Sequence, residues 1–242
     1  MGSSADTPLA GRTALVTGAS RGIGRAIAAR LATAGAHVAL VARGSARLTE
    51  AAAEIGGAAV PCDLADEAAV EALTGRLRAV WPAVAPDIVV NAAGAFALAP
   101  IAETEPADFD RHLGLNLRAP FLVIRVLLPA MLERGSGHIV SIGSVAGRQA
   151  FPGNGAYSAS KFGLRGLHAV LELEVRGTGV RCTLIEPAAT DTPLWDAIDR
   201  SAHRGLPLPG QMLAADDVAD AVLYAVTRSP RTSIRTISME RA

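Results

Sequence analysis

The sequence predicts a single doubly wound α/β domain on a mostly parallel sheet, and three observations predict it. Short β-branched runs alternate with longer amphipathic stretches from Thr13 nearly to the end, without an internal repeat. The runs are apolar at almost every position, the pattern of strands covered on both faces rather than on one. A chain of 242 residues, 50% hydrophobic and 19% charged, can fill one large core but is short for two.

Taken in order, residues 1–11 are small and polar and read as a flexible lead-in to a domain over 12–242. Residues 13–17 form the first strand and 22–34 a helix; 37–41 form the second strand and 46–55 a helix. A third strand ends at Cys62, and Asp66 or Ala65 opens a helix over 66–80. Strands at 87–90 and 138–142 flank a long helical stretch, 107–134. Helix 156–176, strand 180–185 and helix 215–228 follow. Asp216 and Asp217 stand in the first turn of that last helix, where carboxylates favour the helix dipole. Residues 233–240 can add a final strand. Strand alternation with helices implies the order 3-2-1-4-5-6. Cys62 and Cys182 are then five strand spacings, about 24 Å, apart and are core thiols rather than a disulfide.

Lys plus Arg equals Asp plus Glu at 23 each, so the formal net charge is zero. That argues against nucleic-acid binding by bulk charge and against a polybasic membrane surface. No apolar run approaches the ~20 residues of a membrane span without an Arg, Pro or Gly, and no membrane association is expected. The opening residues have neither a basic nor an apolar signal region, so a cytoplasmic protein is expected. Five histidines have no ligand spacing, and no metal site is expected. Of the 23 basic residues, 22 are Arg; the single Lys, Lys161, lies four residues after Tyr157, one of two tyrosines.

The first strand runs into Thr17-Gly18-Ala19-Ser20-Arg21-Gly22-Ile23-Gly24 and directly into a helix. Gly18 permits a tight turn, Gly22 lets backbone approach a pyrophosphate, and Gly24 lets the helix pack closely on the sheet. The amides at the helix start point toward the anion. Acids that accept from ribose hydroxyls stand about 20 residues after such glycines. That zone here reads Val41-Ala42-Arg43-Gly44-Ser45, without an acid before Glu50. Arginine grips a phosphate where an acid would repel it.

Residues Thr17 to Gly24 resemble the nucleotide-binding motif of the short-chain dehydrogenase/reductase family, and the resemblance runs from about residue 10 to 228. It implies a Rossmann-type domain and, with Arg21 and Arg43 at positions that hold a 2′-phosphate, NADP(H) as cofactor. Asp63 matches the family's adenine-contacting Asp, followed by Leu64. Asn91-Ala92-Ala93-Gly94 looks like its N-N-A-G segment with Ala at the second Asn. Glu186-Pro187-Ala188-Ala189-Thr190-Asp191-Thr192 resembles its P-G-x-x-x-T segment; Pro187 and Thr192 are implied at the nicotinamide. Ala188 replaces a glycine there and must avoid a left-handed backbone.

Tyr157 and Lys161, one helical turn apart, share a helix face, and Ser144 lies at the carboxyl end of the fifth strand. Ser144, Tyr157 and Lys161 match the family's catalytic triad and Asn116 its fourth member. A tyrosine titrates near ~10, and bringing it to ~7 takes ~4 kcal/mol of phenolate stabilisation. The resemblance assigns that to Lys161, which also holds the nicotinamide ribose. Tyr157 is the proton donor or acceptor, Ser144 polarises the carbonyl, and Asn116 helps hold a water that links Lys161 to solvent.

Residues 193–213 are the expected substrate lid, with Arg200, His203, Arg204, Leu206 and Pro207 among them. Phe96, Val145, Phe151, Trp195 and Met212 are candidates for an apolar pocket, with Gln149 and Asn154 as polar anchors. The activity implied is NADPH-dependent, reversible reduction of a ketone or aldehyde. One alternative is 3-oxoacyl-[acyl-carrier-protein] reduction, although the basic docking residues of those enzymes align with Pro129 and Leu173, and the usual C-terminal D-G-G is missing. A second is a non-catalytic NADP(H)-sensing regulator. The helix at 107–134 is apolar on almost every face around Pro120–Leu128, so it and helix 156–176 are expected to form a homodimer or homotetramer.

Overall fold

The computed structural model describes residues 7–81, 85–199 and 205–242. The elements run β1 (Thr13–Thr17), α1 (Gly22–Thr33), β2 (His37–Ala42), α2 (Ala46–Glu54), β3 (Ala58–Pro61), α3 (Glu67–Glu71), α4 (Leu73–Arg78), β4 (Ile88–Asn91), α5 (Pro106–Leu113) and α6 (Ala119–Arg134). They continue with β5 (Gly137–Ile142), α7 (Gly155–Glu174), β6 (Val180–Pro187), β7 (Thr190–Asp191), β8 (Leu213–Ala214), α8 (Ala215–Val226) and β9 (Thr236–Met239). Seven strands form one parallel sheet in the order β3-β2-β1-β4-β5-β6-β9, while β7 and β8 make a separate small ladder. This is the doubly wound arrangement expected, extended by the final strand.

Two apolar layers cover the sheet. Ile27 and Leu31 of α1, Leu48 of α2 and Val218 and Val222 of α8 pack on one face with Val16, Leu40 and Val140. Val70, Leu73, Leu77, Val123, Leu127 and Leu171 cover the other with Leu15, Val89 and Ile139. Successive strand residues serve opposite faces, which explains why the strands are apolar throughout.

Several elements differ from expectation. The described part of the lead-in, 7–11, is held: Leu9 is 4% exposed and its amide bonds Ala34 O at 2.9 Å. An apolar side chain under the α1–β2 turn therefore anchors it; residues 1–6 lie outside the described part. Helix 66–80 divides at Ala72 into α3 and α4, and Asp66 caps the first through the Ala68 and Ala69 amides. Cys62 lies just past β3; both cysteines are free and buried. The stretch 107–134 contains a π turn, Gly114–Arg118, between α5 and α6. Among the described residues, Pro106–Arg134 is the one helix long and apolar enough to cross a membrane, a candidate that the Arg, Pro and Gly interruptions had hidden. Seven α6 residues, including Leu122, Val123 and Leu127, are nevertheless buried within the chain.

Two imidazoles are buried beside β5. The Thr183 hydroxyl donates to Ile234 O at 2.6 Å, so His138 Nε2, 2.8 Å from that oxygen, is the donor between them. His168 Nδ1 lies 3.3 Å from Ser141 Oγ. Burial pushes His138 down to about 3 and His168 down to about 4 from 6.5. Both are neutral when folded, so their stability is fully present above the unfolded value and drains as pH falls toward the folded ones. Urea unfolding should register a loss of about 2 kcal/mol per histidine between about pH 6.5 and about pH 5. His168→Asn should remove its share, and an unchanged pH slope in that variant would contradict the assignment.

Candidate active site

The carboxyl ends of the six strands β1 to β6 open onto one cleft of ≈ 1750 Å³. At its floor the Thr17 hydroxyl accepts from the Ala92 and Ala93 amides at 3.0 and 3.2 Å, stitching the end of β1 to the segment after β4. Gly18 has φ +68°, and a Cβ there would stand 2.6 Å from Ala93 Cα. A Cβ on Gly24 would meet Gly18 O at 2.5 Å. Gly24 therefore lets the loop close on itself, a tighter demand than the helix-on-sheet packing expected of it. Gly22 also turns left-handed, φ +57°, beside Thr192. Arg21 caps α1 with extended backbone and without a side-chain bond, leaving the first-turn amides for an anion. Ser20, Arg21, Gly22 and Ile23 line the cleft with Gly18 and Gly24.

Toward the β2–β3 end the lining includes Arg43, Arg47, Asp63 and Leu64. One Asp63 carboxylate oxygen accepts from the Ala65 amide at 3.0 Å, which fixes the side chain's orientation. Gly94, Pro187 and Thr192 also line the cleft, but Asn91 does not. Alternation along β4 turns Asn91 into the sheet, 2% exposed, and both ends of its carboxamide are without a partner. Thr192 Oγ1 accepts from the Leu194 amide at 3.4 Å and caps the turn that carries Trp195. Ala188 takes the glycine's place without a left-handed backbone; its amide bonds Met239 O at 2.8 Å, giving the loop a different anchor.

Ser144, Tyr157 and Lys161 all reach the opposite half of the cleft. Ser144 caps a short 3₁₀ turn, Val145–Gly147, accepting from the Ala146 amide at 3.1 Å. Lys161 Nζ donates to Ile142 O at 2.8 Å and lies 5.6 Å from the centre of the Tyr157 ring. Burial pushes the Tyr157 phenol up to about 12, opposed by a hydrogen bond with the Ser144 side chain. Burial also brings Lys161 down to about 8. The lowered tyrosine expected from the lysine is thus not the state of this cleft: the ammonium is turned to a carbonyl, and desolvation favours the neutral phenol.

Asn116 joins the π turn to its surroundings. Its Oδ1 accepts from the Ala95 amide at 2.7 Å, and its Nδ2 donates to Ala95 O at 3.0 Å and Ser160 Oγ at 2.9 Å. The carboxamide thus ties the π turn to the segment after β4 and to α7. Ser160, itself bonded to Tyr157 O at 2.6 Å, was not singled out from the sequence. A hydroxyl between Tyr157 and Lys161 on a buried helix face was its only signal.

Phe96, Gln149, Phe151, Asn154 and Trp195 line the cleft with Val145. Phe96 stands edge-on between Tyr157 and Trp195, with ring centres 4.9 and 4.8 Å away. Trp195 is fixed by its Nε1 donating to Thr190 O at 3.1 Å. Asn154 is 7% exposed with Oδ1 unpartnered. Met212 is absent from the lining and is buried, at 2% exposure. Of the expected lid, Leu206 and Pro207 line the cleft, while Arg200, His203 and Arg204 lie outside the described residues. Arg241 and Glu240, from the chain's end, line it without having been anticipated.

Residues 12–202 match the family described as short chain dehydrogenase. D-threitol dehydrogenase of Mycolicibacterium smegmatis is 38% identical over 228 residues, spanning 90% of this chain and 87% of that protein. Glycine betaine reductase of Emericella nidulans is 38% identical over 242 residues, 96% of this chain, which spans only 19% of that protein's length. The crystal structure of a metagenomic short-chain oxidoreductase in complex with NADP superposes with a TM-score of 0.80 at 34% identity, covering 96% of this chain and 97% of the other. A family match over residues 12–202, together with relatives matched along most of both chains, makes this chain a member of the short-chain dehydrogenase/reductase family of oxidoreductases.

Proposed function

We propose that the chain is an NADPH-dependent carbonyl reductase that converts a ketone or aldehyde reversibly to an alcohol. The observation that carries this is the meeting of Ser144, Tyr157 and Lys161 at one end of a cleft whose other end is a glycine loop flanked by arginines. The open α1 amides suit a pyrophosphate, and Arg21 and Arg43 suit a 2′-phosphate, with Asp63 and Leu64 beside the adenine. Thr192 and Pro187 border the nicotinamide end, where Lys161 holds the ribose. When bound, the cofactor supplies the hydride.

The chain's own residues do the rest. Ser144 donates to the substrate oxygen as negative charge develops, and Tyr157 delivers a proton to it. A phenol pushed up to about 12 is fully protonated at neutral pH, the form that reduction requires. Lys161 stabilises the phenolate left behind. Phe96 and Trp195 exclude water from one side, and Gln149 and Asn154 offer hydrogen bonds to the substrate's polar groups. A carrier-protein substrate is disfavoured because Pro129 and Leu173, both exposed, offer no charge on α6 and α7.

The outer faces of α6 and α7 carry exposed Phe121, Phe162, Val170 and Leu173. These support a homodimer or homotetramer through both helices. Light scattering should give a mass of two or four chains, reduced by Leu173→Glu; a monomeric wild type at micromolar concentration would refute it.

Tyr157→Phe should cut carbonyl-dependent NADPH oxidation about 10²- to 10⁴-fold and leave NADPH affinity unchanged. Near-wild-type turnover in that variant would remove the assignment. Tight NADPH binding without turnover of ketones, aldehydes or a β-ketoacyl thioester would favour the regulator.

Arg43→Asp should weaken NADPH binding about 10- to 100-fold, the worth of a charge-assisted contact, while NADH binding holds or improves. Calorimetric titration of both cofactors decides this; tighter NADH binding to the wild type would overturn the cofactor choice.

A further inference from the structure

Among the described acids only Glu186 is buried, at 1% exposure. It stands near the end of β6, just before Pro187. Its Oε1 accepts from Arg165 Nη1 at 3.0 Å and its Oε2 from Ser238 Oγ at 3.2 Å, with Arg148 Nε 3.9 Å from Oε2. Arg148 also reaches out to Glu240 Oε1 at 2.9 Å.

Each partner belongs to a different element. Arg165 lies one helical turn beyond Lys161 on α7. Arg148 immediately follows the 3₁₀ turn that Ser144 caps. Ser238 faces Glu186 across the β6–β9 ladder. The Ser144 turn is also approached closely at both ends. A Cβ on Gly143 would lie 3.2 Å from Ile185 O and 3.5 Å from Glu186 Cγ, and one on Gly147 would lie 2.8 Å from Lys161 O. Ser144 is therefore clasped between β6 and α7, and Glu186 joins by charge the segments that these glycines allow to touch.

We propose that Glu186 is a positioning residue: its buried carboxylate, shared by Arg148 and Arg165, sets where Ser144 stands relative to Tyr157. A carboxylate out of water persists only because cations and a hydroxyl surround it. The two arginine side chains, 34% and 45% exposed, have no comparable need of the interior. Once the carboxylate is neutralised they can turn to solvent, and the clasp loses its third tie. The kinetic consequence rests on the carbonyl-reductase reading; the structural one does not.

Glu186→Gln keeps the shape and an acceptor for Ser238 but removes the charge. It should lower kcat about 10- to 100-fold, the scale for misplacing a reacting group by about an ångström. The KM for NADPH should stay within about twofold. If Glu186 acts through Ser144, Glu186→Gln in a Ser144→Ala background adds no further loss; two losses that multiply overturn the proposal.

Hydrogen exchange read by mass spectrometry tests the same point without turnover. Ala146 N is held by Ser144 Oγ at 3.1 Å and Gly147 N by Ser144 O at 2.9 Å. Exchange across this turn should quicken about tenfold or more in Glu186→Gln, as its local opening free energy falls, while β1 and β4 are unchanged. Unchanged exchange in the turn, or kcat within about twofold of wild type, overturns the proposal. Should the wild type reduce no carbonyl, the reaction assigned above fails and exchange alone decides the role of Glu186. Should Glu186→Gln not fold, Arg148→Gln cuts the link to the Ser144 turn, and Glu240→Gln controls for the bond to Glu240 lost with it; faster exchange in the turn in the first alone supports the proposal, and any other result overturns it.

Discussion

The divergence of β1 and β4 at their carboxyl ends creates the cleft, and the rest of the site depends on how closely the two chains part. They are paired in parallel through Val16 and Val90, then leave toward opposite faces of the sheet. Such a switch point leaves a crevice that no crossover covers. Here its floor is fixed by one hydroxyl, Thr17, spanning two amides of the departing chain. Gly18 follows where backbone meets backbone, so a side chain at this position would push the loop out of the crevice. Because all the strands are parallel, the loops after β2, β3, β5 and β6 arrive at the same edge. An anion site and a proton donor from distant parts of the sequence then need no further device to meet.

Burial accounts for both perturbed groups at the reactive end. It moves the Tyr157 phenol up and the Lys161 ammonium down, each toward its neutral form. Desolvation thus favours a neutral phenol beside Lys161. In the proposed reduction, Tyr157 would ionise only as it gives its proton to the developing alkoxide, with the Ser144 hydroxyl and Lys161 stabilising the charge. The arginines at the other end serve a different need. Arg21 and Arg43 are exposed, so in the proposed cofactor site they would meet a phosphate without the desolvation cost that the buried pair bears.

The sheet was legible because its signal is local. β1 matches its predicted span residue for residue, and the glycine loop follows from spacing alone. The disagreements share a cause, since each depends on what lies across space. Leu9 reads as part of a polar lead-in until the α1–β2 turn offers it a pocket. Asn91 has the composition of a cofactor contact, yet its place in the pleat turns it inward. Met212 is apolar enough for a substrate pocket and is buried instead. Nothing in Gly114–Arg118 announces a π turn, because the turn is stabilised by Ala95 and Ser160, distant in sequence from Asn116. Glu186 reads as part of a loop motif until Arg148 and Arg165 converge on it.

Asn116 ties the segment that carries Phe96 to the helix that carries Tyr157. Its carboxamide grips both backbone groups of Ala95, and Phe96 follows directly, edge-on to Tyr157 and Trp195. The same carboxamide holds Ser160, whose hydroxyl bonds the Tyr157 carbonyl at the start of the turn leading to Lys161. Gly163 lets Leu117, the next residue of the π turn, press on α7; a Cβ there would be 2.8 Å from Leu117 Cδ2. The wider winding of the π turn changes the direction in which residue 116 points, and from there one side chain reaches both anchors. The apolar wall and the proton donor are consequently hung from a single point. A change that shifts Phe96 to admit a different substrate must strain Ala95 or move Asn116, and either displacement is passed to the helix that carries Tyr157.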